Sequence, residues 1–378
     1  MISYGRQKIT AEDIKAVQSV LESPWLTQGP AITQFEEAVA NYCGTSYATA
    51  VCNGTAALHL ILLSLGIGHG DSVIVPAMTF LSDANCVEFV GAHPVFVDID
   101  PETYLLNISQ VEKILQTNSS VKAIIAVDFG GLPSPMQKLA DLAKSYHVHL
   151  IEDACHALGS DYRDLSGWKK TGASHCADAT FFSFHPVKHI TTGEGGMILT
   201  QDHSLAEKTK RLRSHGMKSG SIPNRPWQYL MEEIGYNYRI TDLQCALGNS
   251  QLKNIDTWVQ QRRTVALWYH DFFKDCFSVR RPIIETDVGK SSLHLYVIQT
   301  PRRDELYHRL KAKQIETQIH YMPIPLQPYY QKKYGYKSGE FPVSEKYAER
   351  CLSLPCYPDL SQEDCFRIAE IVISFVNS

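Results

Sequence analysis

The strongest constraint on the fold is the alternation of short apolar runs with helix-like segments between residues 47 and 153. The predicted strands cover residues 47–52, 72–75, 94–97, 121–127 and 149–153. The intervening helices carry apolar residues at helical spacing, namely Leu58, Ile61, Leu62 and Leu65 in one and Leu139, Leu142, Ala143 and Tyr146 in another. Strands that are apolar nearly throughout are buried on both faces, so the pattern predicts an α/β fold with a mostly parallel sheet between two layers of helices.

The segments before and after this alternation predict one further helix and a second domain. Thr10 is placed to cap a short helix with Asp13 in its first turn. After residue 240 a helical segment, a strand around 293–299 and a proline-rich stretch lead to a final helix. Its apolar positions are Ile368, Ile371, Val372 and Phe375. We therefore expect a large α/β domain over 1–240, which includes the N-terminal segment, and a linking helix with a small α+β domain over 241–378.

Charge and cysteine content narrow the class of partner. The 378 residues include 36 basic and 40 acidic side chains, for a formal net charge of −4 without a basic stripe. Neither nucleic acid nor a membrane is therefore the expected partner, and a small molecule is. Because residues 1–20 lack the apolar centre of a signal peptide, we expect a cytoplasmic protein. The ten cysteines form no CxxC pair, which predicts buried free thiols.

A metal site is not expected. His185 and His189 have the spacing of two ligands on a helix, but Pro186 opposes a helix there.

Three strand ends carry side chains suited to one cofactor, since ligands of open α/β sheets bind beyond the carboxyl ends of strands. The first is the turn Asn53-Gly54-Thr55-Ala56-Ala57, which opens a helix. Free backbone N–H groups at a helix start favour a phosphate, and Gly54 permits close approach. A strand-to-helix turn of this kind is more often only a helix cap.

The second strand end is Glu152-Asp153-Ala154-Cys155-His156. A carboxylate at Asp153 can pair with the pyridine nitrogen of pyridoxal phosphate and keep it protonated, which makes the ring an electron sink. His156 could then hydrogen-bond the phenolic oxygen of the cofactor. The alternative is that Asp153 caps the following turn.

The third strand end runs from Phe181 through Ser183 to Lys188, before a glycine-rich segment at 193–196. The amine of Lys188 can form an imine with the cofactor aldehyde and then move a proton. Ser183 could add a phosphate contact. A lysine is more often a solvated surface charge, but Lys188 lies among aromatic residues and glycines.

Five strings of this sequence carry a resemblance: NGTAALHL, EDACHALGS, SFHPVKHITTGEGG, RSHGM and GYNYRITDLQCALG. In this order, over nearly the whole chain, they resemble the DegT/DnrJ/EryC1/StrS family of sugar aminotransferases, which have the fold type I of pyridoxal-phosphate enzymes. The resemblance implies that the cofactor is pyridoxal 5'-phosphate, with pyridoxamine phosphate formed during turnover.

The resemblance also implies residue roles. Lys188 would be the lysine bonded to the cofactor, Asp153 the partner of the pyridine nitrogen and His156 the neighbour of the phenolic oxygen. Phe80 would stack on the ring. The phosphate would be held by Gly54, Thr55, Ala56 and Ser183, and by Asn237 from the second chain of a homodimer. A branch of the family with histidine in place of the lysine consists of sugar dehydratases, and Lys188 indicates a transaminase instead.

The substrate is implied less directly. The strings HALGS, SHGM, HYMPIPLQPYY and LSLPC are similar to the pseudaminic-acid branch, which aminates C4 of a UDP-linked 4-keto-6-deoxy-N-acetylhexosamine with an amino acid, usually L-glutamate, as donor. The substrate-binding candidates are Tyr4, Thr27, Gln28, His185, Arg239, His320 and Tyr321. His320 and Tyr321 could instead pack the small domain. Rival functions are amination of another dTDP- or UDP-linked 3- or 4-keto-sugar, a sugar dehydratase, and a non-catalytic sugar-nucleotide sensor.

Overall fold

A computed structural model describes residues 1–219, 225 and 227–378. Its α-helices are α1 (Ala11–Leu21), α2 (Pro30–Cys43), α3 (Gly54–Ser64), α4 (Ser82–Phe89), α5 (Ile108–Thr117), α6 (Met136–Tyr146), α7 (His203–Arg213), α8 (Asp242–Leu252), α9 (Ile255–Phe272), α10 (Arg303–Ala312), α11 (Pro328–Tyr334), α12 (Pro342–Arg350) and α13 (Gln362–Val376). Short 3₁₀ helices cover Phe129–Gly131 and Ile324–Leu326. No helix of the described residues is both long enough and apolar enough to cross a membrane.

The strands form one large sheet and three small ones. They are β1 (Tyr47–Val51), β2 (Ser72–Pro76), β3 (His93–Val97), β4 (Val121–Val127), β5 (His149–Asp153), β6 (Asp161–Asp164), β7 (Gly167–Lys170), β8 (Ala179–Ser183), β9 (Gly196–Thr200), β10 (Met217–Ser219), β11 (Tyr229–Met231), β12 (Glu285–Thr286), β13 (Gly289–Lys290), β14 (Tyr296–Gln299) and β15 (Cys351–Leu354).

The large sheet has seven strands in the order β1-β9-β8-β5-β4-β2-β3. Strand β9 runs antiparallel to both of its neighbours, and the remaining pairs are parallel. Six strands therefore point in the same direction, which confirms the predicted mostly parallel sheet. Their carboxyl ends meet at one edge, and the first residues of β9 return to that same edge beside Val51 and Ser183.

The predicted elements agree closely with the observed ones where the chain alternates. Strands β4 and β5 have the predicted bounds, and β1 ends one residue earlier than predicted. Helix α1 is capped by Thr10, whose side chain accepts from the Asp13 N–H while Asp13 accepts from Thr10. Two apolar side chains of α1 point to solvent, since Ile14 is 64% and Leu21 59% exposed, whereas Val20 packs against a core cluster. Asp13 is buried instead and accepts a hydrogen bond from Gln251 (2.6 Å).

The C-terminal part builds a hydrophobic core of its own. Helices α9, α10 and α13 pack with β14 and β15 around Tyr296, Leu352 and Val372. Helix α8, by contrast, packs against α1 and α2. The domain boundary after residue 240 stays a prediction. The ten cysteines are free thiols as predicted, and seven of them are buried.

Candidate active site

A cavity of about 640 Å³ opens at the edge where the parallel strands end. Many of its lining residues end or follow β1, β2, β4, β5 and β8, as the strand-end argument predicts. The lining residues are Tyr4, Asn53, Gly54, Thr55, Thr79, Phe80, Ser82, Val127, Asp153, Cys155, His156, Ser183, His185, Val187, Lys188, Glu194, His294, Gln318, Ile319, His320 and Tyr321.

The turn after β1 forms an anion cradle. The Asn53 side chain caps α3 by accepting from the Ala56 N–H (2.8 Å), and the Ala57 N–H bonds the Asn53 carbonyl. The N–H groups of Gly54 and Thr55 precede these donors, so the start of the helix leaves them for a ligand. A Cβ at Gly54 would lie 3.1 Å from the Ser183 Cβ, so only glycine lets this turn approach β8 without displacement. The cradle therefore has the donors and the room that a phosphate requires.

Lys188 lies in the loop between β8 and β9, and backbone hydrogen bonds join the two ends of this loop. The Phe184 N–H donates to Gly195 and the Thr192 N–H donates to Phe184, while the Lys188 N–H donates to His185. A Cβ at Gly196 would lie 2.6 Å from the Asn53 backbone, so this position excludes any side chain. Within the described parts of the chain, the Lys188 amine has no hydrogen-bond or ion-pair partner. Burial lowers the pKa of this amine, against the attraction of Cys155 and Asp153.

Asp153 is the last residue of β5, and its carboxyl lies in the floor of the cavity with 6% of its surface exposed. Its Oδ1 accepts from the Cys155 N–H (2.9 Å). Burial raises the pKa of Asp153, while the Cys155 hydrogen bonds and the Lys188 charge lower it. A cationic ring nitrogen placed here would pair with this carboxylate and favour its ionised form.

His156 is held as a neutral donor. The Gly130 N–H donates to its Nδ1 (3.3 Å), so the proton resides on Nε2, which lies 3.2 Å from the Tyr321 hydroxyl. Burial, and then the positive charge of Lys188, hold the pKa of His156 well below its usual range. The ring can therefore offer an N–H to an anionic oxygen in the cavity.

The mouth of the cavity carries the other predicted residues. Phe80 is 54% exposed although it is a large apolar side chain, and its ring lies 6.0 Å from that of Tyr321. His185 is exposed, whereas His320 is buried with Nδ1 2.8 Å from the Ser353 hydroxyl. Burial lowers the pKa of His320 to about 3, so it is neutral. Tyr4 lies beside His320.

Five of the predicted site residues do not line this cavity. Ala56 is buried in the first turn of α3, and Arg239 is half-buried. Thr27, Gln28 and Asn237 are exposed at the surface. Thr27 pairs with Thr241, and the next residues are held at the start of α8 by Asp242, which accepts from the Gly29 N–H (2.7 Å).

The cavity also contains residues that the sequence did not single out. Thr79, Val127, Gln318 and His294 lack a local motif, and their contribution arises only from packing. Asn53 was named only as part of the turn after β1, and its own role there is that of a helix cap. Glu194 lies in the glycine-rich segment and brings a second carboxylate to the cavity wall.

The donor set of the cavity fits pyridoxal phosphate. In the described residues, no group of three or more His, Cys, Asp or Glu side chains could hold a metal ion. His185 is exposed, whereas His189 is buried with Nε2 3.2 Å from the Ser292 carbonyl, so these two side chains lie in different surroundings. An amine, a buried carboxylate and a neutral imidazole N–H share the cavity with an anion cradle. Each matches one polar group of the cofactor.

Comparison with known proteins agrees with this geometry. Residues 7–373 match the family model described as the DegT/DnrJ/EryC1/StrS aminotransferase family. The spore coat polysaccharide biosynthesis protein SpsC of Bacillus subtilis is 38% identical over 386 residues, which cover 99% of this chain and 97% of that protein. The UDP-4-amino-4,6-dideoxy-N-acetyl-beta-L-altrosamine transaminase of Campylobacter jejuni subsp. jejuni serotype O:23/36 is 35% identical over 381 residues, with 100% and 98% covered.

A solved structure gives the same answer for the fold. Helicobacter pylori PseC, an aminotransferase involved in the biosynthesis of pseudoaminic acid, superimposes with a TM-score of 0.91 at 32% identity and covers 100% of this chain and 99% of its own. The chain belongs to the DegT/DnrJ/EryC1/StrS aminotransferase family. It has the α/β fold type I, uses pyridoxal phosphate and is a nucleotide-sugar aminotransferase.

Proposed function

We propose that this aminotransferase moves an amino group from an amino acid, L-glutamate in the first instance, to C4 of a UDP-linked 4-keto-6-deoxy-N-acetylhexosamine. The product would serve a pseudaminic-acid type of nucleotide-sugar synthesis in the cytoplasm. The observation that carries the reaction type is the unpaired amine of Lys188, which shares one cavity with Asp153 and His156. The names of the Campylobacter jejuni and Helicobacter pylori relatives support the choice of substrate.

Within this proposal the floor of the cavity holds the cofactor. Pyridoxal phosphate supplies an aldehyde carbon and a protonated ring that accepts electrons. Asp153 would pair with the ring nitrogen, His156 would donate from Nε2 to the phenolic oxygen, and Phe80 would contact the ring. The phosphate is assigned to Gly54, Thr55 and Ser183, with Ala56 in the same turn. The Ala56 N–H is engaged by Asn53, so the two preceding N–H groups are the stronger donors.

Lys188 moves the proton in both half-reactions. Because burial lowers its pKa, its amine is more readily neutral than that of an exposed lysine. It can take the proton from the α-carbon of the amino-acid donor, and it can deliver a proton to C4 of the sugar as the same steps run in reverse. Asp153 keeps its orientation throughout, because its Oδ1 accepts a hydrogen bond from the Cys155 N–H.

A second copy of the chain would complete the site. Asn237 is exposed and would reach the phosphate in the neighbouring cavity, while Thr27, Gln28 and Arg239 would contact the substrate from the same side. The apolar side chains exposed near Asn237 support an interface there. They are Trp227, Tyr229, Leu230, Met231 and Ile234. Tyr4, His185, His320 and Tyr321 would contact the sugar nucleotide from the chain's own side of the cavity.

A second candidate is the amination of another dTDP- or UDP-linked 3- or 4-keto-sugar. It is favoured by the higher identity, 38% against 35%, to a relative named for spore coat polysaccharide biosynthesis. The presence of Lys188 opposes both a sugar dehydratase and a non-catalytic sensor.

The test is an amination assay on a panel of keto-sugar nucleotides that varies the base, the keto position and the C2 substituent, with L-glutamate as donor. The amino position of each product is read by NMR. The proposal expects the UDP-linked 4-keto-N-acetyl substrate to have the highest kcat/KM. A higher kcat/KM for a 3-keto or dTDP-linked sugar would change the assigned substrate but not the proposed type of reaction.

A further inference from the structure

Four buried carboxyl groups lie side by side beneath the cavity. Asp83 and Asp128 have no exposed surface, Glu152 has 1% and Asp153 has 6%. Across the described chain, none of the four forms an ion pair with a lysine or arginine. Isolated carboxylates are too costly to bury in this way, so some of the four must retain protons.

The hydrogen bonds divide the four groups into two pairs. Thr79 donates to Oδ2 of Asp83 (2.6 Å), and the other oxygen, Oδ1, has no donor in the described structure. The carboxyl group of Asp83 faces that of Asp153 closely enough for the two to share a hydrogen bond. Two carboxyl groups can form such a bond only if one of them carries a proton. A proton on Oδ1 of Asp83 would therefore satisfy the unpaired oxygen and make the bond to Asp153.

The second pair repeats this arrangement with side chains that do not line the cavity. Oδ1 of Asp128 accepts from the Ser134 N–H (2.7 Å), and Oε2 of Glu152 accepts from the Thr180 hydroxyl (2.6 Å). Among the described residues each side chain keeps one oxygen without a donor, and the two carboxyl groups lie close enough to share a hydrogen bond. Neither side chain lines the cavity. The Asp128–Glu152 pair is therefore a natural control for the Asp83–Asp153 pair.

We propose that Asp83 is a positioning residue, which holds a proton and donates it as a hydrogen bond to Asp153, so that Asp153 is kept ionised and aimed at the cofactor's ring nitrogen. The inference rests on the proposed role of Asp153. Asp83 does not line the cavity and acts only through its neighbour.

The surroundings place the proton on Asp83 rather than on Asp153. Burial, and then the charge of Asp153, raise the pKa of Asp83 well above its usual range. Asp153 is also raised by burial, but it is lowered by its bonds to Cys155, by Lys188 and by Asp83 itself. The titratable groups that act on Asp83 or feel its charge are Asp153, Cys155, Lys188, Cys86 and Tyr321. Lys188 is the only amine in this set, and its charge acts on Asp153 and Cys155 as well.

The first experiment tests the proton in the cofactor-free protein. Infrared difference spectra between wild type and Asp83→Asn should contain a protonated-carboxyl band at neutral pH, far above the ordinary aspartate pKa of about 3.9. Because the pKa of Asp83 is raised, this band should persist as the pH rises from 5 to 8. Asp128→Asn should remove a separate band. Absence of any protonated-carboxyl difference for Asp83→Asn at pH 5 to 8 would overturn the proposal.

The second experiment separates positioning from packing in the cofactor-loaded enzyme. Asp83→Asn keeps an N–H donor for Asp153 and should retain kcat within about threefold of wild type. Asp83→Leu removes the donor and should lower kcat by about tenfold or more, the loss of one charge-assisted hydrogen bond. KM should change little, and the pH at which the cofactor's visible absorbance titrates should shift. If Asp83→Leu fails to fold, the infrared measurement on Asp83→Asn still tests whether Asp83 holds the proton.

The control variants are Asp128→Asn and Asp128→Leu, which disturb an equivalent buried pair outside the cavity. They should alter thermal stability and shift the absorbance titration less than Asp83→Leu does, because Asp128 acts on Asp153 only through its charge. Equal effects of Asp83→Leu and Asp128→Leu on that titration would reduce Asp83 to a packing role. If Asp153→Asn lowers turnover while both Asp83 variants behave as wild type, this inference fails alone. If Asp153→Asn has no effect, the proposed role of Asp153 fails first.

Discussion

On the floor of the cavity, Asp153 and His156 are buried and hydrogen-bonded within their own chain, whereas Asn237 and Gln28 lie exposed at the surface. The floor needs only one chain to fix its geometry. The surface region presents polar candidates beside the exposed apolar side chains of β11. We infer from this difference that one chain encodes the chemical groups, and that a second copy is needed to close the site around the substrate.

The largest loss of turnover is expected from removing the amine of Lys188 at the floor of the cavity. Lys188→Ala should lower turnover by at least about 10⁴-fold, since in the proposed mechanism Lys188 both binds the cofactor covalently and moves the proton. The measurement is steady-state turnover together with mass spectrometry after borohydride reduction. Lys144→Ala, at an exposed site on α6, is the control and should be normal. A cofactor–protein bond that survives in Lys188→Ala would assign the role to another lysine.

A smaller loss of turnover is expected when the carboxylate charge of Asp153 is removed but the shape of the side chain is kept. Asp153→Asn should lower kcat by on the order of 10²-fold, because a neutral amide stabilises a protonated ring nitrogen much less than a carboxylate does. KM should change much less. Asp141→Asn, on the exposed side of α6, is the matched control. Turnover near the wild-type value would remove Asp153 from this role.

The surface region is tested by mixing two inactive proteins. Asn237→Asp should repel the phosphate of the cofactor and be inactive, as Lys188→Ala is. If Asn237 serves the neighbouring site, each mixed dimer has one site with both lesions and one intact site. Random pairing of equal amounts makes about half of the dimers mixed, so about a quarter of wild-type activity should return.

The two variants carry different affinity tags, so that mixed dimers can be isolated after co-expression. Activity equal to the sum of the two parents, in dimers proved to be mixed, would mean that Asn237 serves its own chain or no site. The inference that a second copy of the chain completes the site would then fail.

The smallest effect is expected where the floor meets the mouth of the cavity. Tyr321→Phe removes the hydroxyl next to Nε2 of His156, but the Gly130 N–H still holds the ring. One neutral hydrogen bond is worth about 1 kcal/mol, so turnover should fall by about fivefold with unchanged cofactor content. Tyr329→Phe, on the exposed face of α11, is the control. A loss of several hundredfold would mean that the hydroxyl of Tyr321 itself contacts the reacting atoms.

The sequence alone determined the sheet and most of the floor. Apolar runs such as 121–127 and 149–153 predict buried parallel strands because such strands have no polar face, and the carboxyl-end rule then places Asp153 and Ser183 at one edge. The structure places both residues in the cavity. Lys188 could be found because it lies in an irregular glycine-bounded loop directly after a strand. These are local signals, which need only the spacing of neighbouring residues.

Only the tertiary structure decided which distant residues join them. Tyr321 reaches His156 across 165 positions of the sequence, and His294 packs against the same ring. Asp83 reads as an ordinary acidic residue in the first turn of a helix, and α1 reads as a helix whose apolar side chains face a core. In the fold, Asp83 is buried against a second acid and Ile14 of α1 is exposed. Burial and pairing depend on which elements pack together, and no local spacing in the chain encodes that.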